Sequence, residues 1–127
     1  MLLVDTDVMV DVLRKHEPAL EWLATLDSER LGIPGLVAME LLQGCRNRAE
    51  QRRVESLLRP YRLYWPTEMD CMRAYGDFSA HHLSRGIGLL DALIAEIAVG
   101  LGVKLTTFNG GHYRAVAVLD VLRPYER

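Results

Sequence analysis

The amino-acid sequence predicts an α/β fold, with a central parallel β-sheet of about five strands and helices on both faces. Two observations carry this. Short apolar runs that read as buried strands alternate with longer segments of helical periodicity. Nothing breaks the alternation: there is no internal repeat, low-complexity tract or linker, so residues 1–127 read as one domain.

The elements follow in order. Leu2-Leu3-Val4 is a strand ending at Asp5, and Asp7 is suited to cap a helix carrying Val8, Val12 and Leu13 inward. Pro18 suits the first turn of a second helix with Leu20, Leu23 and Leu26. Leu31 to Pro34 reads as a second strand, Val37 to Gly44 as a helix, and Arg48 to Leu58 as another helix closed by Pro60. Leu63-Tyr64-Trp65 is a third strand. Thr67 caps a longer helix, with Glu68 and Asp70 in the turn where the dipole favours anions. Met72, Tyr75 and Phe78 share one side of it, and Gly86 and Gly88 break it. A helix over Leu90 to Val99 carries the stripe Leu90, Leu93, Ile94 and Ile97, and Gly100 and Gly102 end it. Lys104 to Thr107 is a fourth strand, Asn109-Gly110-Gly111 a turn, and Val116 to Leu122 a last strand.

Half of the residues are hydrophobic and a quarter are charged, the balance of an ordinary globule. No apolar run approaches the roughly 20 residues of a membrane span, and the apolar start is cut at once by Asp5, Asp7 and Asp11. The expectation is a cytoplasmic protein that does not enter a membrane. Cys45 and Cys71 lack metal-pair spacing and read as reduced, mostly buried thiols. The formal net charge of −2 excludes nucleic-acid binding by bulk charge alone.

Three acids fall where open α/β sheets gather function, at the carboxyl ends of strands. Asp5 ends the first strand, Glu40 lies in the helix after the second, and Asp91 opens the helix that leads to the fourth. Each alone also reads as a helix cap or a solvent-facing charge. Converging carboxylates repel, and burial raises that cost, so a cluster of them calls for an offsetting hard cation such as magnesium or manganese. Few protein ligands would leave coordination positions for water and phosphate oxygens, the arrangement of metal-assisted phosphodiester hydrolysis.

Four stretches resemble the motifs of PIN-domain toxins of the VapC type. They are Leu3 to Asp11, Val37 to Gly44, Asp91 to Ala95 and Thr106 to Tyr113, in the family's order and spacing over essentially the whole chain. The resemblance implies a PIN fold and an endoribonuclease that uses magnesium or manganese on RNA, often structured RNA such as tRNA. It puts Asp5, Glu40 and Asp91 at the metal-binding positions, and Asp7 behind them. Many relatives carry an acid in the fourth motif, where this chain offers Asn109 and His112. Asn109 is the candidate there for holding a metal-bound water, and Thr106 for adding a hydroxyl. The resemblance also implies a homodimer and a small VapB-type antitoxin, whose arginine reaches the acidic pocket.

Arg46, Arg48, Arg52, Arg53, Arg59 and Arg62 face only Glu50 and Glu55 in their stretch, a local positive excess that would guide an RNA backbone. Arg85, just before the Asp91 helix, is a candidate phosphate contact. His81 and His82 point to different sides of a helix, and Trp22, Trp65 and the tyrosines, Tyr113 among them, read as core or interface anchors. The competing function is a catalytically silent PIN domain acting as an RNA- or protein-binding module, favoured only by the non-acidic fourth loop. A phosphoacceptor receiver domain would need a third-strand aspartate, which Leu63 to Trp65 does not supply.

Overall fold

The computed structural model describes residues 1–127. Its elements are β1 (Leu2–Val4), α1 (Thr6–Leu13), α2 (Glu17–Ala24), β2 (Leu31–Pro34), α3 (Gly35–Gln43), α4 (Arg48–Leu58), β3 (Arg62–Tyr64), α5 (Glu68–Arg85), α6 (Leu89–Leu101), β4 (Lys104–Thr106) and β5 (Val121–Leu122), with a 3₁₀ turn at His112–Ala115 before the last strand. The five strands form one sheet in the order β3-β2-β1-β4-β5, every neighbouring pair parallel. The central strand β1 is sealed on both faces, with Leu3 and Val4 fully buried, as are Ile33 of β2 and Leu105 of β4. This burial is why the strands read as continuous apolar runs and not as alternating ones.

The strand order places a topological switch at β1. From β1 the chain steps outward through β2 and β3, then crosses to the other side for β4 and β5. The loops leaving β1 and β4 therefore diverge and open a crevice at their carboxyl ends. Leu3 stands in register with Leu105 and Val4 with Thr106, so Asp5 and Thr107, each one residue further along, emerge side by side.

The longest helix, α5, opens with a reciprocal capping box. The Thr67 hydroxyl accepts from the Asp70 amide at 3.1 Å, and the Asp70 carboxylate accepts from the Thr67 amide at 3.0 Å. It closes on Gly86 at φ 67°, a left-handed cap that favours glycine. The face it turns to α6 carries Asp70, Ala74 and Arg73. Met72 and Tyr75, grouped with Phe78 in the sequence, are 64% and 78% exposed, so that side faces outward and only Phe78 is half-buried. The helix α6 is apolar nearly all round and buries Ala92, Ile94, Ala95, Ile97 and Ala98.

Three further expectations are corrected. The strand predicted over Val116 to Leu122 is confined to Val121–Leu122, because the 3₁₀ turn and the bend after it bury Tyr113 and Val116 over the end of the sheet instead. Cys71 is exposed and Cys45 half-buried, both as free thiols. Trp65, expected in the core or at an interface, is 54% exposed at the end of β3 and so lies outside the core.

Between α5 and α6, Arg73 is held by two buried acids. Its guanidinium donates to Glu96 at 2.9 Å and to Asp70 at 2.6 Å. Asp77 faces Glu96, and burial together with that carboxylate pushes the Asp77 carboxyl well above its usual range. Arg73→Met leaves these acids without a cation while keeping an apolar stem. It is expected to destabilise the fold, whereas Arg73→Lys, which keeps the positive charge, should lose less. Urea denaturation of both variants at pH 7 checks this, and equal deficits would assign the loss to packing alone.

Candidate active site

The chain turns from β1 into α1 at Asp5, and that turn sets both ends of the Asp5 side chain. Asp5 is in extended conformation and caps α1, its Oδ1 accepting from the Thr6 amide at 2.8 Å. Its Oδ2 accepts from two hydroxyls, Thr107 and Tyr113, each at 2.8 Å. Asp7 turns to the same loop. Its Oδ2 accepts from the Phe108 amide at 2.8 Å and from the Thr107 hydroxyl at 3.3 Å, while its Oδ1 accepts from the Val8 amide. Thr107 thus ties the two acids of the first loop to the end of β4.

Asp91 enters from the first turn of α6. Its Oδ1 lies 3.4 Å from the Tyr113 hydroxyl, and its Oδ2 lies 3.9 Å from Nδ1 of the largely exposed His112. Glu40 enters from α3, where its Oε1 accepts from the Thr6 hydroxyl at 3.0 Å. Asp5, Asp7 and Asp91 are therefore linked through Thr107 and Tyr113, and Glu40 joins through the residue after Asp5. No three His, Cys, Asp or Glu side chains yet stand at a spacing that would hold one ion.

Two residues expected at the site are placed differently. The Thr106 hydroxyl donates to the Leu3 carbonyl at 2.9 Å inside the sheet, and the neighbouring Thr107 faces the acids instead. Asn109 is exposed, and it is its backbone amide that bonds, to the Thr107 hydroxyl at 3.0 Å. Arg85 is exposed at the end of α5 and has no carboxylate partner. Sequence reasoning missed Thr107, Thr6 and Tyr113. Thr107 and Tyr113 lay inside the quoted fourth motif, but only the fold of that loop shows that their hydroxyls meet Asp5.

Asp5 is 5% exposed and has no basic residue within ion-pair distance. Burial, and after it the charge of Asp7, pushes its carboxyl from the ordinary 3.8 up to about 6, against the opposing effect of the bonds from Thr107, Thr6 and Tyr113. Asp11, further along α1, shows the contrast: it receives the Tyr125 hydroxyl at 2.7 Å and the Arg127 guanidinium at 3.1 Å. Burial and the neighbouring acids hold the Tyr113 phenol far above its usual range, so it remains a protonated donor. A buried carboxylate lacking a cation, among oxygen donors only, fits a hard divalent ion and does not fit a soft one.

The raised value has a definite sign. The ionised form of Asp5 is disfavoured in the fold, so the penalty is absent below pH 4, grows between pH 4 and 6, and is complete above. Asp5→Asn is expected to stabilise the metal-free protein by about 2–3 kcal/mol at pH 7 and by little at pH 4. Chemical denaturation in EDTA at the two pH values measures the gap, and a gap that does not change with pH would refute the assignment.

With this geometry in view, the comparisons are concordant. The PIN domain family model matches residues 2–118. Ribonuclease VapC10 of Mycobacterium tuberculosis (strain CDC 1551 / Oshkosh) is 36% identical over 115 residues, covering 89% of this chain and 86% of the relative. A toxin–antitoxin complex from Klebsiella pneumoniae shares the fold at TM-score 0.76 and 20% identity, covering 100% of both chains. VapBC-1 from nontypeable Haemophilus influenzae does so at TM-score 0.77 and 23% identity, covering 95% of this chain and 96% of that one. The acids at the switch point, the family model over nearly the whole length and the VapC10 relative agree: the chain belongs to the PIN-domain family.

Proposed function

We propose that the protein is a metal-dependent endoribonuclease that cleaves RNA phosphodiester bonds, tRNA among the candidate substrates, and that a VapB-type antitoxin restrains it. The observation that carries this reading is the Asp5 carboxylate, buried at the sheet's switch point with no basic side chain within ion-pair distance. The name of the VapC10 relative, a ribonuclease, supports the reaction, and the Klebsiella toxin–antitoxin complex supports the kind of partner.

In this reading Asp5, Asp91 and Glu40 would hold Mg²⁺ or Mn²⁺, which when bound would lower the pKa of a water and set positive charge against the phosphate. The chain's own residues do the positioning. Thr107, Tyr113 and the Thr6 amide fix the Asp5 carboxylate, the Thr6 hydroxyl aims Glu40, and Asp7 pins the Phe108 amide so that Asn109 stays at the rim. A groove of about 690 Å³ runs from Thr6 and Glu40 past Arg14, Lys15, Arg46 and Arg53, and it offers a cationic approach for an RNA backbone. Arg46 is paired with Glu50, which leaves Arg14, Lys15 and Arg53 as the groove's cations without an ion-pair partner. Arg85 remains available for a phosphate.

An arginine from the antitoxin would supply the same missing charge as the ion, so inhibition and metal binding would compete at Asp5. Homodimerisation has a suitable surface where the exposed Met39 and Leu90 line a shallow apolar groove with Leu36 and Leu42. No helix is long and apolar enough to cross a membrane. We place the protein in the cytoplasm, where its RNA substrate resides.

The test is incubation of total RNA and of purified tRNA with partner-free protein in Mg²⁺, Mn²⁺ or EDTA. Discrete fragments are expected with either metal, none in EDTA, and a loss of at least 100-fold in rate for Asp5→Ala. Folded, partner-free protein that binds RNA but leaves it intact with both metals would contradict the enzyme and favour the silent binding module.

A further inference from the structure

We propose that Tyr113 is a positioning residue whose hydroxyl bridges Asp5 and Asp91 before the metal arrives and thereby sets the spacing at which the two carboxylates receive it. The inference rests on the reading above that these acids hold a divalent cation.

Asp5 and Asp91 come from different elements, the end of β1 and the first turn of α6, and their charges repel. Something must hold them at short range in the metal-free protein. Tyr113 is 2% exposed, and its hydroxyl lies 2.8 Å from Asp5 Oδ2 and 3.4 Å from Asp91 Oδ1. A phenol has one proton, and here it is shared, making the short bond to Asp5 and a longer, weaker one to Asp91. Thr107 also donates to Asp5, but its second contact is Asp7, not Asp91. His112 approaches Asp91 from the exposed side and does not reach Asp5. Tyr113 alone links the two acids that lie on opposite sides of the crevice.

The ring is also anchored where it stands. It belongs to the 3₁₀ turn, whose Tyr113 amide bonds the Gly110 carbonyl at 3.2 Å, and it packs into the same hydrophobic core as Ala92 and Ala95 of α6. The hydroxyl is therefore a fixed point to which both carboxylates adjust. Removing the oxygen leaves the ring's packing in place and removes only the link. A cation entering the site then has to pull the two acids together against their repulsion.

Mn²⁺ binding by partner-free protein, followed by electron paramagnetic resonance, tests this without reference to activity. Tyr113→Phe is expected to weaken Mn²⁺ binding about tenfold, the lower range for loss of a residue that orients metal ligands. An unchanged or tighter Kd would overturn the proposal, even if the melting temperature fell, because the ring would then be structural only. Failure of the wild type itself to bind Mn²⁺ would overturn both this proposal and the metal reading beneath it. A second measurement does not depend on how Tyr113→Phe folds. With 3-fluorotyrosine placed at position 113 alone, the ¹⁹F resonance should shift saturably with Mg²⁺ as the carboxylates change partner. A resonance that stays constant up to saturating Mg²⁺ would overturn the bridge.

Discussion

A parallel sheet can carry a carboxylate into its interior only if something offsets the lost hydration, and Asp5 is where this chain meets that constraint. β1 is the central strand and both of its faces are sealed, so the residue at its end has little access to water. The fold answers with neutral donors: the first amide of α1, the Thr107 hydroxyl and the Tyr113 hydroxyl. These fix the carboxylate in place but leave its charge uncompensated. In the function proposed here, an ion or a partner's guanidinium supplies the remainder of the offset.

The surrounding architecture follows from that need. Register between β1 and β4 brings Thr107 beside Asp5, and the 3₁₀ turn folds Tyr113 back over both. Asp91 arrives because α6 starts at the rim of the crevice, and Glu40 because α3 starts directly from β2. The second acidic cluster, between α5 and α6, solves the same problem in the opposite way. There Arg73 is built in, and its carboxylates close a helix interface instead of opening toward a ligand. One chain thus contains a compensated acidic cluster that holds structure and an uncompensated one that is suited to chemistry.

Much of this was legible in the sequence because it rests on local rules. The strand and helix alternation, the Thr67 cap, the glycine stop at Gly86, the placing of Asp5 at a strand end and that of Asp91 in the first turn of a helix all depend on neighbours in the chain. What was hidden depends on contacts between distant residues. Thr106 and Thr107 are adjacent at a strand end, where successive side chains point to opposite faces, so a shift of one residue in the strand's end decides which hydroxyl meets the acids. Tyr113 was read among core or interface anchors because its hydroxyl finds Asp5 only across 108 residues. The apolar side of α5 carrying Met72 and Tyr75 has helical spacing, but spacing does not say which face is covered. Arg73 and Glu96 gave one faint signal, an acid set within the apolar run of α6.

The central claim is that the buried Asp5 charge is completed by a divalent cation shared with Asp91. Anomalous diffraction at the manganese edge, from crystals of partner-free protein soaked in Mn²⁺, addresses it most directly. The account predicts one strong peak in the crevice at the ends of β1 and β4, liganded by Asp5 and Asp91. A crevice without a peak, with Asp5 still bonded only to Thr6, Thr107 and Tyr113 while Mn²⁺ occupies other sites, would contradict it.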